Sequence, residues 1–359
     1  MIKTKELKFT AVIVAAFLTL VFPFGSAAAL AADKKAPEAK APAARAPETK
    51  PAAAATSEIK LPGTLLLSLN YGSGDGELGL PLNATAGEES ISQSPSAFDA
   101  GASGDCFVVD TVKKSVFRTG ADKKTSIFLK YDSTEIGSDY VSDIVVSKAG
   151  QVYLCDAKSQ MVHVFSKDAK HVVTLGEIVD RQVFRGIAAM LPDAAGNLAV
   201  VDLKDPKVVF FNVAGKLSKE YELKTPGAGY ALDADGKVFT SILAANVIKL
   251  VETEKGDEKV LEYPAAGSEI ADARLLGFDA AGCAYLKIVK VDQEGQVVED
   301  AAVKFSKEGK MLKKAVLPYY NIEDQPHVME KSHIFMKDDC VVTYRDDQKA
   351  FSLLAFELK

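Results

Sequence analysis

From residue 61 onward, short runs of β-branched and aromatic residues alternate with polar turns rich in Gly, Asp and Lys. No segment there keeps an apolar stripe at helical period beyond a few turns. A half-buried strand needs apolar side chains at period two and an amphipathic helix at 3.6, so the pattern predicts an all-β fold. Upstream the pattern changes twice. Residues 9–24 are an almost unbroken apolar run behind Lys3, Lys5 and Lys8, and Ala29-Leu30-Ala31 follows with the small residues of a signal-peptidase site. The run is shorter than the about 20 apolar residues a spanning helix needs. Residues 1–31 are therefore expected to be a cleaved signal peptide, with no transmembrane helix left after cleavage and no nearby Cys for a lipid anchor. Residues 32–57 are mainly Ala, Pro, Lys and Glu without periodicity, the composition of an extended disordered spacer. The folded domain is expected over residues 58–359.

Within that domain one unit recurs: a turn ending in Gly, a strand, a polar turn and a second strand. The copies centre on Gly104, Gly150, Gly196, Gly236 and Gly282, with Asp339 at the Gly place of the sixth. Successive anchors are 46, 46, 40, 46 and 57 residues apart. A blade of four antiparallel strands takes about 40 to 50 residues, so the spacing predicts a six-bladed β-propeller of four-stranded antiparallel blades. A single blade cannot bury its two apolar faces, and a ring of blades buries them all. Residues 61–69 (LPGTLLLSL) form an apolar strand ahead of the first repeat, placed to complete the last blade as its outer strand and lock the ring.

Residues 71–80 (YGSGDGELGL) resemble the inter-blade loop of the NHL-repeat six-bladed propellers. DCFVVDTVKKSVFRTG (105–120), QVYLCDAKSQMVHVFSKDAKHVVTLG (151–176) and NLAVVDLKDPKVVFFNVAGKL (197–217) resemble that family's core of strand, Asp turn and strand. The resemblance is strongest in repeats one to three and implies a fold more than a function.

Charge narrows the choice of partners. The first 57 residues carry +4, so the formal charge of −6 leaves −10 on residues 58–359. An acidic domain offers no electrostatic footprint for nucleic acid, where phosphate neutralisation supplies most of the affinity. Nucleic-acid binding is not expected.

Most candidate motifs have a structural reading. Residues 74–79 match G-x-G-x-x-G, but no helix follows to meet a pyrophosphate, so a turn is expected. Asp110, Asp156 and Asp202 each stand six residues after their Gly at a strand end, where a short carboxylate caps the following turn. Asp233-Ala234-Asp235-Gly236 opens like a calcium loop but lacks the acidic twelfth residue, and the parallel turns at Asp193 and Asp279 mark it as a hairpin turn. His163, His171, His327 and His333 show no paired metal-ligand spacing, and Cys-x-x-Cys and G-x-S-x-G are absent. No metal, cofactor or catalytic residue is expected. Cys106, Cys155, Cys283 and Cys340 all fall in predicted strands and are expected to be buried free thiols.

In a propeller the loop entering each innermost strand faces the central funnel. Eight residues before each anchor stand Ser96, Ser142, Ala188, Ala228, Arg274 and Lys331, with Arg185 replacing Ala188 once the longer third turn is allowed for. Ser96, Ser142, Arg185, Arg274 and Lys331 are therefore the candidate ligand-binding residues. Cations converging on the axis of an acidic domain suit a carboxylate or phosphate.

The expected function is a non-catalytic interaction module of the bacterial cell envelope, periplasmic or extracellular, presenting loops to a protein or glycan partner. One alternative is a metal-dependent enzyme similar to the gluconolactonase or peptidyl-amidoglycolate lyase relatives of six-bladed propellers, in which a cation held by funnel side chains polarises a carbonyl. The other is a small-anion sensor binding at the funnel through Arg185, Arg274 and Lys331.

Overall fold

The computed structural model describes residues 63–80, 95–101, 103–131, 136, 140–178, 181–265, 267–318, 331, 333–336, 339–347 and 349–359. The expected signal peptide and spacer, and His327, lie outside the described residues. Among those residues the fold is all-β and contains six four-stranded antiparallel sheets. Strand β1 is Thr64–Asn70. Blade 1 is β2–β5 (Ala97–Ala100, Cys106–Asp110, Ser115–Thr119, Thr125–Lys130), and blade 2 is β6–β9 (Val141–Val146, Val152–Asp156, Met161–Phe165, His171–Leu175). A small hairpin, β10–β11 (Glu177–Ile178, Arg181–Gln182), leads to blade 3, β12–β15 (Ile187–Pro192, Leu198–Asp202, Lys207–Phe211, Leu217–Glu222). Blade 4 is β16–β19 (Ala228–Leu232, Val238–Ala244, Val247–Glu252, Glu258–Leu261) and blade 5 is β20–β23 (Glu269–Phe278, Ala284–Val291, Val297–Phe305, Met311–Val316). Blade 6 comprises β24–β26 (His333–Met336, Cys340–Asp346, Ala350–Glu357) and borrows β1 as its outermost strand.

The innermost strands β2, β6, β12, β16, β20 and β24 neighbour one another in that order, and β24 returns to β2 to close the ring. The six expected anchors mark the turns between first and second strands. Gly104, Gly150, Gly196, Gly236 and Gly282 have φ of 86, 83, 86, 74 and 74°, and Asp339 has 58°. Gly takes this left-handed region without strain, and Asp is one of the few other residues that visits it.

In blades 1 to 3 the second strand is wedged between neighbouring blades, and nearly all of its side chains on both faces are apolar. CFVVD, VYLCD and LAVVD are buried at every position, whereas the outer strand LSKEYE of blade 3 is almost wholly exposed. On β7, Val152 and Leu154 pack toward Phe107 and Val109 of blade 1, while Tyr153 and Cys155 pack toward Leu198 and Val200 of blade 3. The period-two alternation thus becomes alternation between neighbours. The 57-residue spacing before Asp339 includes the long strands β21 and β22 of blade 5, with 8 and 9 residues against 5 in the corresponding strands of blades 1 to 3.

Closure follows the expected device. Strand β1 pairs antiparallel with β26, from Thr64 opposite Ala355 to Asn70 opposite Ala350. Its inward side chains Leu67 and Leu69 are buried with Phe98 and Phe117 of blade 1 and with Val342, Phe351 and Leu353 of blade 6. The Tyr71 hydroxyl then donates to Asp346 at 2.5 Å. Truncating a fully buried Leu removes its transfer energy and leaves a cavity, so Leu69→Ala should cost about 2 to 5 kcal/mol in urea denaturation. Ser68→Ala, on the exposed face of the same strand, should change stability by less than about 0.5 kcal/mol. Equal effects would mean that β1 is not built into the core.

Candidate ligand site at the propeller axis

The strand-end aspartates do structural work. Asp110, Asp156 and Asp202 are fully buried. One oxygen of each caps the following turn: Asp110 Oδ1 accepts from Lys113 N–H, Asp156 Oδ1 from Lys158 and Ser159, and Asp202 Oδ1 from Lys204 and Asp205. The second oxygen fastens the incoming chain in two blades, where Asp110 Oδ2 accepts from Gly79 N–H at 2.7 Å and Asp202 Oδ2 from Arg185 N–H at 2.6 Å. Residues 74–79 are accordingly a loop clamped to blade 1, held also by Lys113 Nζ on the carbonyls of Gly74 and Glu77. Asp233 caps its own turn through Oδ1, as Asp193 and Asp279 do. Among the described residues, no three His, Cys, Asp or Glu side chains form a metal-ligand group.

The five funnel candidates separate into distinct surroundings. Ser96 Oγ donates to the Val141 carbonyl at 2.6 Å, across the seam of blades 1 and 2. Ser142 is half-buried on β6, and Arg185 is exposed on the connection entering β12. Lys331 Nζ lies 2.8 Å from Asp143 Oδ1 and donates to the Ile144 carbonyl at 2.5 Å. Asp99, buried on β2, accepts from Val146 N–H at 2.7 Å and faces the same ammonium. Burial opposes the Lys331 charge, but Asp143 and Asp99 outweigh it and hold the group above the ordinary lysine range. Ser96 and Lys331 thus bond different residues of β6, and Lys331 is committed to carboxylates.

Arg274 has a different setting. It is exposed on β20 and stands directly opposite Lys287 on β21. Like charges in directly opposed positions of an antiparallel pair destabilise it. Lys287 finds a partial counter-charge in Asp300 Oδ2 at 3.5 Å. Asp300 is buried, its Oδ1 has no hydrogen-bond partner, and burial pushes its carboxyl up, with Lys287 opposing and Asp272 reinforcing the shift. His333, on the innermost strand of blade 6, lies within the influence of the same two charges. Burial, then the Lys287 and Arg274 charges, hold its imidazole well below the ordinary range, so it is neutral at pH 7. Two cations and a neutral imidazole can together bind an oxyanion, with Arg274 as the fork.

Lys287 and His333 were not among the sequence candidates. A search for paired histidines passes over His333, although its place two residues beyond Lys331 marks it as an inner-strand neighbour. Lys287 lies on a second strand and joins Arg274 only through a register that contains two bulges.

None of the four cysteines forms a disulfide. Cys106 and Cys155 are buried, and burial pushes the Cys106 thiol up to about 11. Cys283 and Cys340 are only half-buried, and Cys283 lies in the turn before β21, where its N–H donates to Asp279. The expectation of four buried strand positions therefore holds for two of them. A half-exposed turn residue is the cost of the Asp279 cap.

The depressed His333 titration has a definite sign. Below the unfolded imidazole value of about 6.5 the unfolded chain binds a proton that the folded chain refuses, so the contribution is lost as pH falls. Wild-type stability should drop relative to His333→Gln between pH 7 and pH 5, with a difference slope approaching about 1.4 kcal/mol per pH unit. Parallel curves for the two proteins would show that His333 titrates normally.

No family model and no curated protein matches the chain. Among solved structures it is similar to a streptogramin B lyase, at 13% identity and TM-score 0.45, over 74% of this chain and 95% of that one. A virginiamycin B lyase from Staphylococcus aureus is 13% identical with TM-score 0.43, over 72% and 94%. A gluconolactonase from Xanthomonas campestris is 11% identical with TM-score 0.46, over 74% and 88%. These TM-scores lie below 0.5, so the six-bladed propeller reading rests on the sheets of this chain itself.

Proposed function

We propose that this chain is an exported, non-catalytic binding propeller of the bacterial cell envelope whose axis takes a small oxyanion, a carboxylate or phosphate. The observation that carries the reading is the opposed pair Arg274 and Lys287 beside neutral His333. A bound anion relieves the repulsion between the two cations, and the imidazole adds a hydrogen bond. Lys331, committed to Asp143 and Asp99, serves as a strut between blades 6, 1 and 2. Export rests on the apolar run at residues 9–24 and its small-residue site, and the Pro-rich residues 32–57 suit a tether that presents the disk to a protein or glycan.

A lactonase- or lyase-like enzyme is the second reading. It is favoured by one observation, a neutral imidazole beside a guanidinium, which pairs a proton acceptor with a group able to stabilise developing negative charge.

Calorimetric titration of the mature chain with gluconate, citrate and phosphate tests the first reading. Binding should weaken about tenfold or more in Arg274→Ala/Lys287→Ala, the loss expected for charge-assisted hydrogen bonds, and should persist in Arg185→Ala. Affinity indifferent to the double substitution would refute the axial site. Turnover of a lactone panel that disappears in His333→Ala would replace binding with catalysis.

A further inference from the structure

The repeats allow one interface to be compared with another. Between blades 5 and 6 the space beside the first turns is filled with charge. Lys304, opposite Tyr285 in the β21–β22 register, lies 2.9 Å from Asp279 of its own blade and 2.6 Å from Asp339 of the next. Lys313 reaches the other oxygen of Asp339 at 2.7 Å, and the Tyr285 hydroxyl donates to the same carboxylate. These partners hold the Asp339 carboxyl far below its usual range.

Between blades 1 and 2 the equivalent places are occupied differently. Phe107 stands opposite Arg118 as Tyr285 stands opposite Lys304. Gly101 opens the turn where Asp279 does, each bonded through N–H to the residue four further on. The left-handed turn residue of the next blade is Gly150, where blade 6 has Asp339. With both carboxylates missing, the space is a cavity of ≈ 210 Å³ lined by Arg118, Phe107, Val146, Ser147, Lys148 and Lys167 among others. Its one acid is the buried Asp105, whose Oδ2 accepts from Arg118 Nε at 3.2 Å and Nη2 at 2.6 Å and from Ser103 Oγ. Among the described residues Arg118 Nη1 has no acceptor, and Lys148 and Lys167 carry no ion pair. Three cations therefore face one carboxylate on a domain that is acidic overall.

We propose that the cleft between blades 1 and 2 binds a small carboxylate, whose oxygens take the place that the Asp339 carboxylate holds between blades 5 and 6. Arg118, Lys148 and Lys167 supply the charge, and Phe107 and Val146 form an apolar wall for the carbon chain. The volume lies below the about 300 Å³ at which drug-sized pockets begin, so the ligand is a compact acid of a few carbons. The site is independent of the axial group on blades 5 and 6.

Calorimetry with succinate as probe, and neutral succinamide as control, tests the assignment on the mature chain. Succinate should bind at one site and succinamide should not. Affinity should fall tenfold or more in Lys148→Ala/Lys167→Ala, whose side chains are exposed and whose loss leaves the fold intact, and should hold in Arg274→Ala/Lys287→Ala. Gly150→Asp, which places a carboxylate where blade 6 has one, should abolish succinate binding. Absence of succinate binding at millimolar concentration, or equal affinity in the Lys148→Ala/Lys167→Ala variant, overturns the proposal. So does tighter binding of a blocked aspartyl peptide than of succinate, which would assign the cleft to an acidic side chain of a protein partner.

Discussion

Burial of both faces of every blade is the constraint on which this structure depends. A four-stranded sheet with Leu, Val and Phe on each side has no stable solvent-exposed form, and only neighbours on both sides satisfy it. A row of six blades would still leave two terminal faces open. The ring removes them, and its final contact is made by a strand taken from the opposite end of the chain, with Leu67 and Leu69 set between blades 6 and 1. The strand-end aspartates belong to the same economy of closure: Asp110 and Asp202 pin the chain entering a blade to the turn of that blade, fixing the order in which the sheets stack.

What was legible in the sequence was whatever a single strand or turn determines by itself. The fully buried second strands stand out as unbroken apolar runs, and the anchors stand out because a left-handed turn accepts few residues, which is why Asp339 could be placed without a glycine there. The axial site was half legible. Arg274 and Lys331 stand at the predicted distance from their anchors, but their surroundings depend on partners from other strands. Asp143 and Asp99 come from two further blades, and Lys287 arrives through a bulged register. No spacing rule within one repeat carries that information. The cleft between blades 1 and 2 was still less visible, because it is defined by side chains that are missing from places occupied in another repeat.

Charge is distributed over this ring in two ways. At the seams it is compensated locally, as where Lys304 and Lys313 meet Asp279 and Asp339, or Lys331 meets Asp143. Such half-buried pairs contribute geometry more than energy, since desolvation offsets much of their attraction. At Arg274 and Lys287 two cations stand directly opposite one another, and at Arg118, Lys148 and Lys167 three cations line a cleft with one carboxylate among its described residues.

The pairing of β1 with β26 also decides how the molecule carries load. Both ends of the folded chain lie in one sheet, bonded to each other from Thr64 opposite Ala355 to Asn70 opposite Ala350. Tension applied through the residues before Thr64 falls first on this single ladder and on the two leucines behind it, while the other five blades are held in series beyond it. The mechanical strength of the whole disk is therefore the strength of one seven-residue strand, and the seam that completes the ring is also the place where it would first open.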